Sequence, residues 1–154
     1  MYSGDKPYCY EKEEWLEIKS QFESDFSRYN KHIKSFNTLI NEILKDTTQS
    51  EFVSRTELSP NMLHRITKTA SRKDPPRRST LMSIAVGYNL DIQLTEALLE
   101  SLGLSFDMHN RRDYAYQLLL TRCRGVEIED CNKILELLGI EEKDWLGAYA
   151  KNTR

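Results

Sequence analysis

The stretch Thr48-Gln-Ser-Glu-Phe-Val-Ser-Arg-Thr-Glu-Leu-Ser-Pro-Asn-Met-Leu-His-Arg-Ile-Thr-Lys68 decides how this chain is read. Phe52 and Val53, then Leu58, then Leu63 and Ile66 make two short apolar faces, joined tightly at Glu57 to Ser59. Two helices crossing at a steep angle require such a connection. Ser59 suits an N-cap, and Pro60 suits the first helical position, where a missing N–H costs nothing. The second helix is expected from Pro60 to about Lys68, with Asn61, Met62, His64, Arg65 and Lys68 free to face outward.

The chain around this pair reads as all-α. Leucine outnumbers valine 19 to 3, and among 154 residues there are only six glycines and four prolines. That composition is poor in turns and in the β-branched residues strands prefer. Helices are expected at Phe36 to Asp46, Ser79 to Asn89, Arg112 to Arg124 and Ile128 to Leu138. Another lies between Asp91, a fitting N-cap, and Gly103, a fitting stop. Leu118, Leu119, Cys123, Cys131, Ile134, Leu135 and Leu138 would line the contact between the last two long helices, and Asp144 to Ala150 would add a final turn.

The N-terminal third carries one apolar stripe: Trp15, Ile18, Phe22, Phe26, Tyr29, Ile33, Phe36, Ile40 and Ile43 recur at helical spacing. An unbroken helix from Glu11 to Lys45 would span roughly 50 Å, so it must project or break near Asn30. Two readings stay open. The stripe belongs to two consecutive core helices, or it pairs with a second copy of the protein. It is aromatic, not the Leu/Ile seam that coiled coils favour.

The net charge of −2 conceals a strong regional contrast. Residues 1–47 sum to −2, residues 48–90 to +4 and residues 91–154 to −4. Between Arg65 and Arg78, Arg65, Lys68, Arg72, Lys73, Arg77 and Arg78 face one acid, Asp74. A cluster of that kind neutralises phosphates and releases counterions. It coincides with the helical pair quoted first.

That pair resembles the helix-turn-helix of the Cro/phage-repressor type, the XRE family, whose pattern is roughly T-Q-x-x-L-A-x-x-x-G-[VL]-S-x-x-x-I-x-x-[IL]. Thr48, Gln49, Phe52, Val53, Leu58, Ser59, Leu63 and Ile66 fall on it without a gap. The basic loop and the helix Ser79 to Asn89 resemble the family's continuation. With Phe36 to Asp46 first and Thr95 to Leu102 last, the match covers about residues 36–103. Glu57 stands where the family usually has a turn glycine, so it must adopt an unfavourable backbone conformation or reshape the turn. Thr67 replaces a commonly acidic position.

The resemblance implies a five-helix lambda-repressor-like DNA-binding domain over residues 36–104, a long helical N-terminal extension over 1–35 and a helical C-terminal extension over 105–154. The second helix would lie in the major groove of double-stranded DNA. Gln49 would brace the first helix against phosphate, while Ser59, Pro60, Asn61, Arg65 and Lys68 sit at the groove. Asn61 and Arg65 would read adenine and guanine, Met62 would touch a thymine methyl, and His64 a phosphate. Arg72, Lys73, Arg77 and Arg78 would add sequence-independent contacts. A homodimer is expected, because one recognition helix covers a half-site and two-fold symmetry sets two of them about 34–36 Å apart.

Other classes find less support. His32, His64 and His109 are scattered, no Gly-rich phosphate loop is present, and Glu127, Glu129 and Asp130 suit the first turn of a helix. No enzyme activity, metal or cofactor is expected. Cys123 and Cys131 read as small core residues, and Cys9 leaves an odd total. No apolar run approaches a membrane span, and the start lacks a signal-peptide stretch, so a cytoplasmic location is expected. The competing reading is a helical protein-interaction module, an antitoxin or a phage- or plasmid-encoded factor, meeting a protein partner through its N- or C-terminal helices.

Overall fold

The computed structural model describes residues 11–148, without the side chains of 29–32. The chain is all-helical: α1 Lys12–His32, α2 Phe36–Ile43, α3 Gln49–Thr56, α4 Pro60–Lys68, α5 Arg78–Gly87, α6 Ile92–Ser101, α7 Arg111–Thr121 and α8 Ile128–Leu137 precede a short 3₁₀ turn at Glu142–Asp144. No strand occurs among the described residues. No helix among them is long and apolar enough to cross a membrane.

The residues divide into two compact units, one ending at Lys34 and the other beginning at Ser35. The first contains α1, whose 21 residues extend about 31 Å at 1.5 Å per residue. A capping box opens it, with the Glu11 N–H donating to Glu14 Oε1 at 2.9 Å. The break expected near Asn30 falls slightly later. Ile33 turns extended (φ −93°, ψ 119°), and Ser35 restarts a helix by accepting from the Thr38 N–H at 3.2 Å. The apolar stripe is divided there. Phe36 and Ile40 are buried in the second unit, whereas Trp15, Ile18, Phe22, Phe26 and Ile33 are each more than half exposed.

Two apolar clusters build the second unit. Phe36, Ile40, Phe52, Leu58, Ile66, Leu81, Ile84 and Leu98 form the first, drawn from α2 to α6 and the turn after α3. Met82, Ala85, Tyr116, Leu119, Ile128, Cys131, Leu135 and Leu146 belong to the second. Helix α5 serves both, because a step of one residue rotates about 100° around a helix. Leu81 and Ile84 thus enter one cluster while Met82 and Ala85 enter the other, and residues 80–85 are all buried. The stretches on either side of residue 104, separated on sequence grounds, both pack on this helix as far as residue 148. Cys131, Leu119 and Leu135 are buried where the sequence expected contact between α7 and α8, with Cys123, Ile134 and Leu138 packed against them.

The chain ends differently from the expected helical turn at Asp144 to Ala150. The 3₁₀ turn stops at Asp144, Trp145 is extended, and Gly147 takes φ +68°, which no continuing helix allows. Tyr149 and Ala150 lie outside the described residues. Leu146 is fully buried, and the Asn132 side chain takes both its backbone groups, accepting from its N–H at 2.7 Å and donating to its carbonyl at 3.1 Å. The Tyr116 hydroxyl holds the Asp144 carbonyl at 2.6 Å.

Candidate functional site

The α3–turn–α4 segment is built by short-range bonds. Thr48 caps α3 by accepting from the Glu51 N–H at 3.0 Å. Thr56 is buried; its hydroxyl donates back to the Phe52 carbonyl at 2.7 Å and accepts from the Leu58 N–H at 3.2 Å, which fixes the exit from α3. Of the two outcomes open to a residue in a glycine's place, Glu57 takes the left-handed backbone (φ 56°, ψ 25°), its N–H donating to the Val53 carbonyl at 2.9 Å. Ser59 occupies the N-cap position of α4 and Pro60 its first turn. The Ser59 side chain makes no capping bond; its carbonyl accepts from the Met62 N–H at 3.0 Å instead. Gln49, expected to brace α3 against phosphate, donates through Nε2 to the Pro60 carbonyl at 3.2 Å and ties the two helix starts together.

Helix α4 has two contrasting sides. Ile66 is buried, and Leu63 and Met62 pack half-buried against the first cluster. Asn61, His64, Arg65 and Lys68 are all exposed, and at 100° per residue they fall within an arc of about 100°. No acid interrupts α4. Met62 departs from its expected outward position, because it borders the apolar side of the helix and is drawn inward. Two asparagines of α2 support the far end: Asn37 and Asn41 donate to the Thr67 carbonyl at 2.9 and 3.3 Å. Thr67, in a commonly acidic position of the pattern, satisfies its hydroxyl by donating to the Leu63 carbonyl at 2.7 Å.

The cations of the basic segment differ in their surroundings. Arg72 donates through Nε to the Ser101 carbonyl at 3.1 Å and through Nη2 to the Glu100 carbonyl at 3.3 Å, at the C-terminal end of α6. There a guanidinium suits both the orphan carbonyls and the helix dipole. Arg78 is half-buried, donating to the Ser105 carbonyl at 2.9 Å and lying 3.7 Å from the Asp113 carboxylate. Asp113 is buried, so it also takes the Asp107 N–H at 2.8 Å and Arg112 Nε at 3.1 Å. Arg77 reaches the Lys143 carbonyl at 3.5 Å, a weak bond on an exposed side chain. Arg65, Lys68 and Lys73 are exposed. The basic segment thus separates into residues that hold the fold and residues that present charge.

Behind α4 a cleft of about 260 Å³ opens between Met62, Ile66, Pro76, Arg77, Lys143 and Trp145. Trp145 and Asn132, neither singled out by the sequence, set this side of the molecule: the Trp145 indole N–H donates to the Ile140 carbonyl at 3.0 Å. A lone tryptophan in an acidic tail carries no local signal of such a role. The Glu57 carboxyl is raised above its ordinary value by burial, then by Glu129 and Glu127. No group of three or more His, Cys, Asp or Glu among the described residues is placed to hold a metal ion.

No family model, curated protein or solved structure matches this chain.

Proposed function

We propose that this chain is a sequence-specific DNA-binding transcriptional regulator of the Cro/phage-repressor helix-turn-helix type. In this reading α2 to α6 form a lambda-repressor-like five-helix domain, and α4 enters the major groove of double-stranded DNA. The observation that carries it is the exposed, acid-free face of α4, where Asn61, His64, Arg65 and Lys68 stand together over a buried apolar side. Asn61 near the helix start and Arg65 one turn on carry the side-chain chemistry for bidentate contacts to adenine and guanine, each worth about 1–3 kcal/mol of discrimination. Lys68, Lys73 and Arg77 supply phosphate contacts, and His64 adds a polar one. Arg72 and Arg78 serve the interface by positioning α6 and α5. One such helix covers only a half-site, so the reading calls for a second copy.

Selection from a random duplex pool, followed by binding of the selected site, tests this proposal. Arg65→Ala relaxes preference at one base pair, whereas Lys73→Ala weakens every sequence alike and lowers the slope of log affinity on log salt by about one. A chain that enriches no sequence and binds no duplex at low salt overturns the reading.

A second reading, a helical module that binds a protein partner, draws on one observation: the described side chains of α1 are all exposed except the half-buried Asp25. A module of that kind would co-purify with its partner and ignore duplexes.

A further inference from the structure

Along α1, Trp15, Ile18, Phe22 and Phe26 present one apolar face, Ile33 follows at the C-cap, and each is more than half exposed. Phe22 and Phe26 stack at its middle, with ring centroids 5.7 Å apart and planes 9° from parallel. Contiguous aromatic surface of this kind marks an interaction site, and a helix of this length gains most of its stability by burying such a face.

We infer that α1 pairs antiparallel with α1 of a second copy of this chain. Two features select that occupant and that direction. The spacing of Trp15, Phe22, Phe26 and Ile33 is 7, 4 and 7, which reads the same both ways along α1 and its C-cap. A two-fold axis through the centre therefore sets Phe22 against Phe26 of the partner subunit and Trp15 against Ile33 of the partner subunit in one register. The ends carry opposite charge. Residues 11–18 hold Glu11, Glu13, Glu14 and Glu17 against Lys12, and residues 27–34 hold Arg28, Lys31 and Lys34 with no acid. Antiparallel pairing brings each acidic end to a basic one and opposes the helix dipoles; parallel pairing stacks like charge on like. The four phenylalanine rings would close over one another at the centre, where aromatic pairs add to area burial. The DNA reading calls for a second copy without fixing which surface joins it, so a dimer that survives loss of the α1 face overturns this inference and leaves that reading standing, whereas failure to bind any duplex overturns that reading and leaves this inference standing.

The test uses the full chain. Light scattering is expected to give twice the 18.1 kDa chain mass, and Phe22→Ser/Phe26→Ser to return it to 18.1 kDa. A wild-type monomer at the highest soluble concentration, or a dimer that survives the double substitution, overturns the proposal. Direction is read separately by mixing Trp15→Cys and Ile33→Cys chains under mild oxidation and mapping the new disulfides. Antiparallel pairing gives 15–33 links between the two chains; 15–15 and 33–33 links overturn it. This second readout holds even where the serine variant also loses α1 helicity.

Discussion

The backbone N–H of Ala148 donates to the carbonyl oxygen of Glu57 across 2.7 Å, tying the last described residues to the turn between α3 and α4. The neighbouring Gly147 N–H donates to Ser83 Oγ on α5, also at 2.7 Å. A Cβ on Gly147 would meet the Glu57 Cβ at 2.9 Å and its carbonyl oxygen at 3.1 Å, and φ +68° would strain an L side chain on separate grounds. The tail and the turn that sets the start of α4 are therefore parts of one structure.

Removing the side chain that anchors this tail is expected to loosen it. In Asn132→Ala the buried N–H and carbonyl of Leu146 both lose their partner, at an expected cost of about 2–4 kcal/mol. Urea unfolding monitored by tryptophan fluorescence measures it. A loss below about 0.5 kcal/mol, the range of ordinary surface changes, would mean that the tail does not depend on Asn132.

Glu57 is expected to be a poor residue for folding at neutral pH for two separable reasons. Its left-handed backbone is strained, so Glu57→Gly should be more stable than Glu57→Gln, which keeps the strain and lacks the charge, by about 1 kcal/mol at any pH. Its carboxyl, raised by burial and then by Glu129 and Glu127, binds a proton more tightly in the folded chain than in the unfolded one. That contribution is present below the ordinary value of 4.5 and is lost as pH rises through the raised folded value. Glu57→Gln should accordingly be more stable than wild type at neutral pH, with the difference shrinking on acidification through that window. A pH-independent difference in chemical denaturation would refute the electrostatic part.

Gly87 is where α5 meets the backbone of α3. A Cβ there would collide with the Arg55 carbonyl group, and Arg55 Nε already donates to the Gly87 carbonyl at 3.0 Å while its guanidinium lies 4.3 Å above the Tyr88 ring. Gly87→Ala, ordinarily favourable within a helix, should instead cost about 1–3 kcal/mol through overpacking. A calorimetric melting temperature at or above wild type would contradict this close approach.

Arg78 and Lys73 were equal as sequence cations and are expected to separate in experiment. Arg78→Ala takes a partner from buried Asp113 and should destabilise the fold by about 1–3 kcal/mol, with Arg112 retaining part of the compensation. Lys73→Ala should leave unfolding unchanged and alter only the salt dependence of any DNA binding. Equal effects of the two on unfolding would erase the distinction.

The cysteines should differ in reactivity. Burial, then Cys123 and Asp130, push the Cys131 thiol up to about 12, and its Sγ lies 3.6 Å from the Val126 carbonyl. Cys123 is half-buried. Under native conditions alkylation followed by peptide mapping should label Cys123 before Cys131, with Cys131 reacting at the rate of unfolding. Early labelling of Cys131 would contradict its placement in the core.

Much of the architecture was legible because it is local. The start of α6 at Asp91, where the Leu94 N–H donates to Oδ1 at 2.8 Å, and the left-handed turn at Glu57 follow from residues within a few positions of one another. The sidedness of α4 follows from its own spacing. The misjudged places have a common cause. Met62 sits at the border of an apolar arc, where spacing alone cannot say which way it leans. Gly147 looked like part of a terminal helical turn, until a distant turn residue and Ser83 proved to govern it.

The sequence by itself determined an all-helical chain, the limits of most helices, and which face of α4 is apolar, because periodicity and capping act within a turn or two. Only the tertiary structure decided which cations hold the fold and which are presented. Arg72 meets its carbonyls 28 and 29 residues away and Arg78 meets Ser105 at 27, whereas Arg77 stays exposed. A charge count cannot distinguish a guanidinium facing water from one that completes another helix's end. That difference is made when α5 is shared between two cores and the last described residues return to the turn at Glu57.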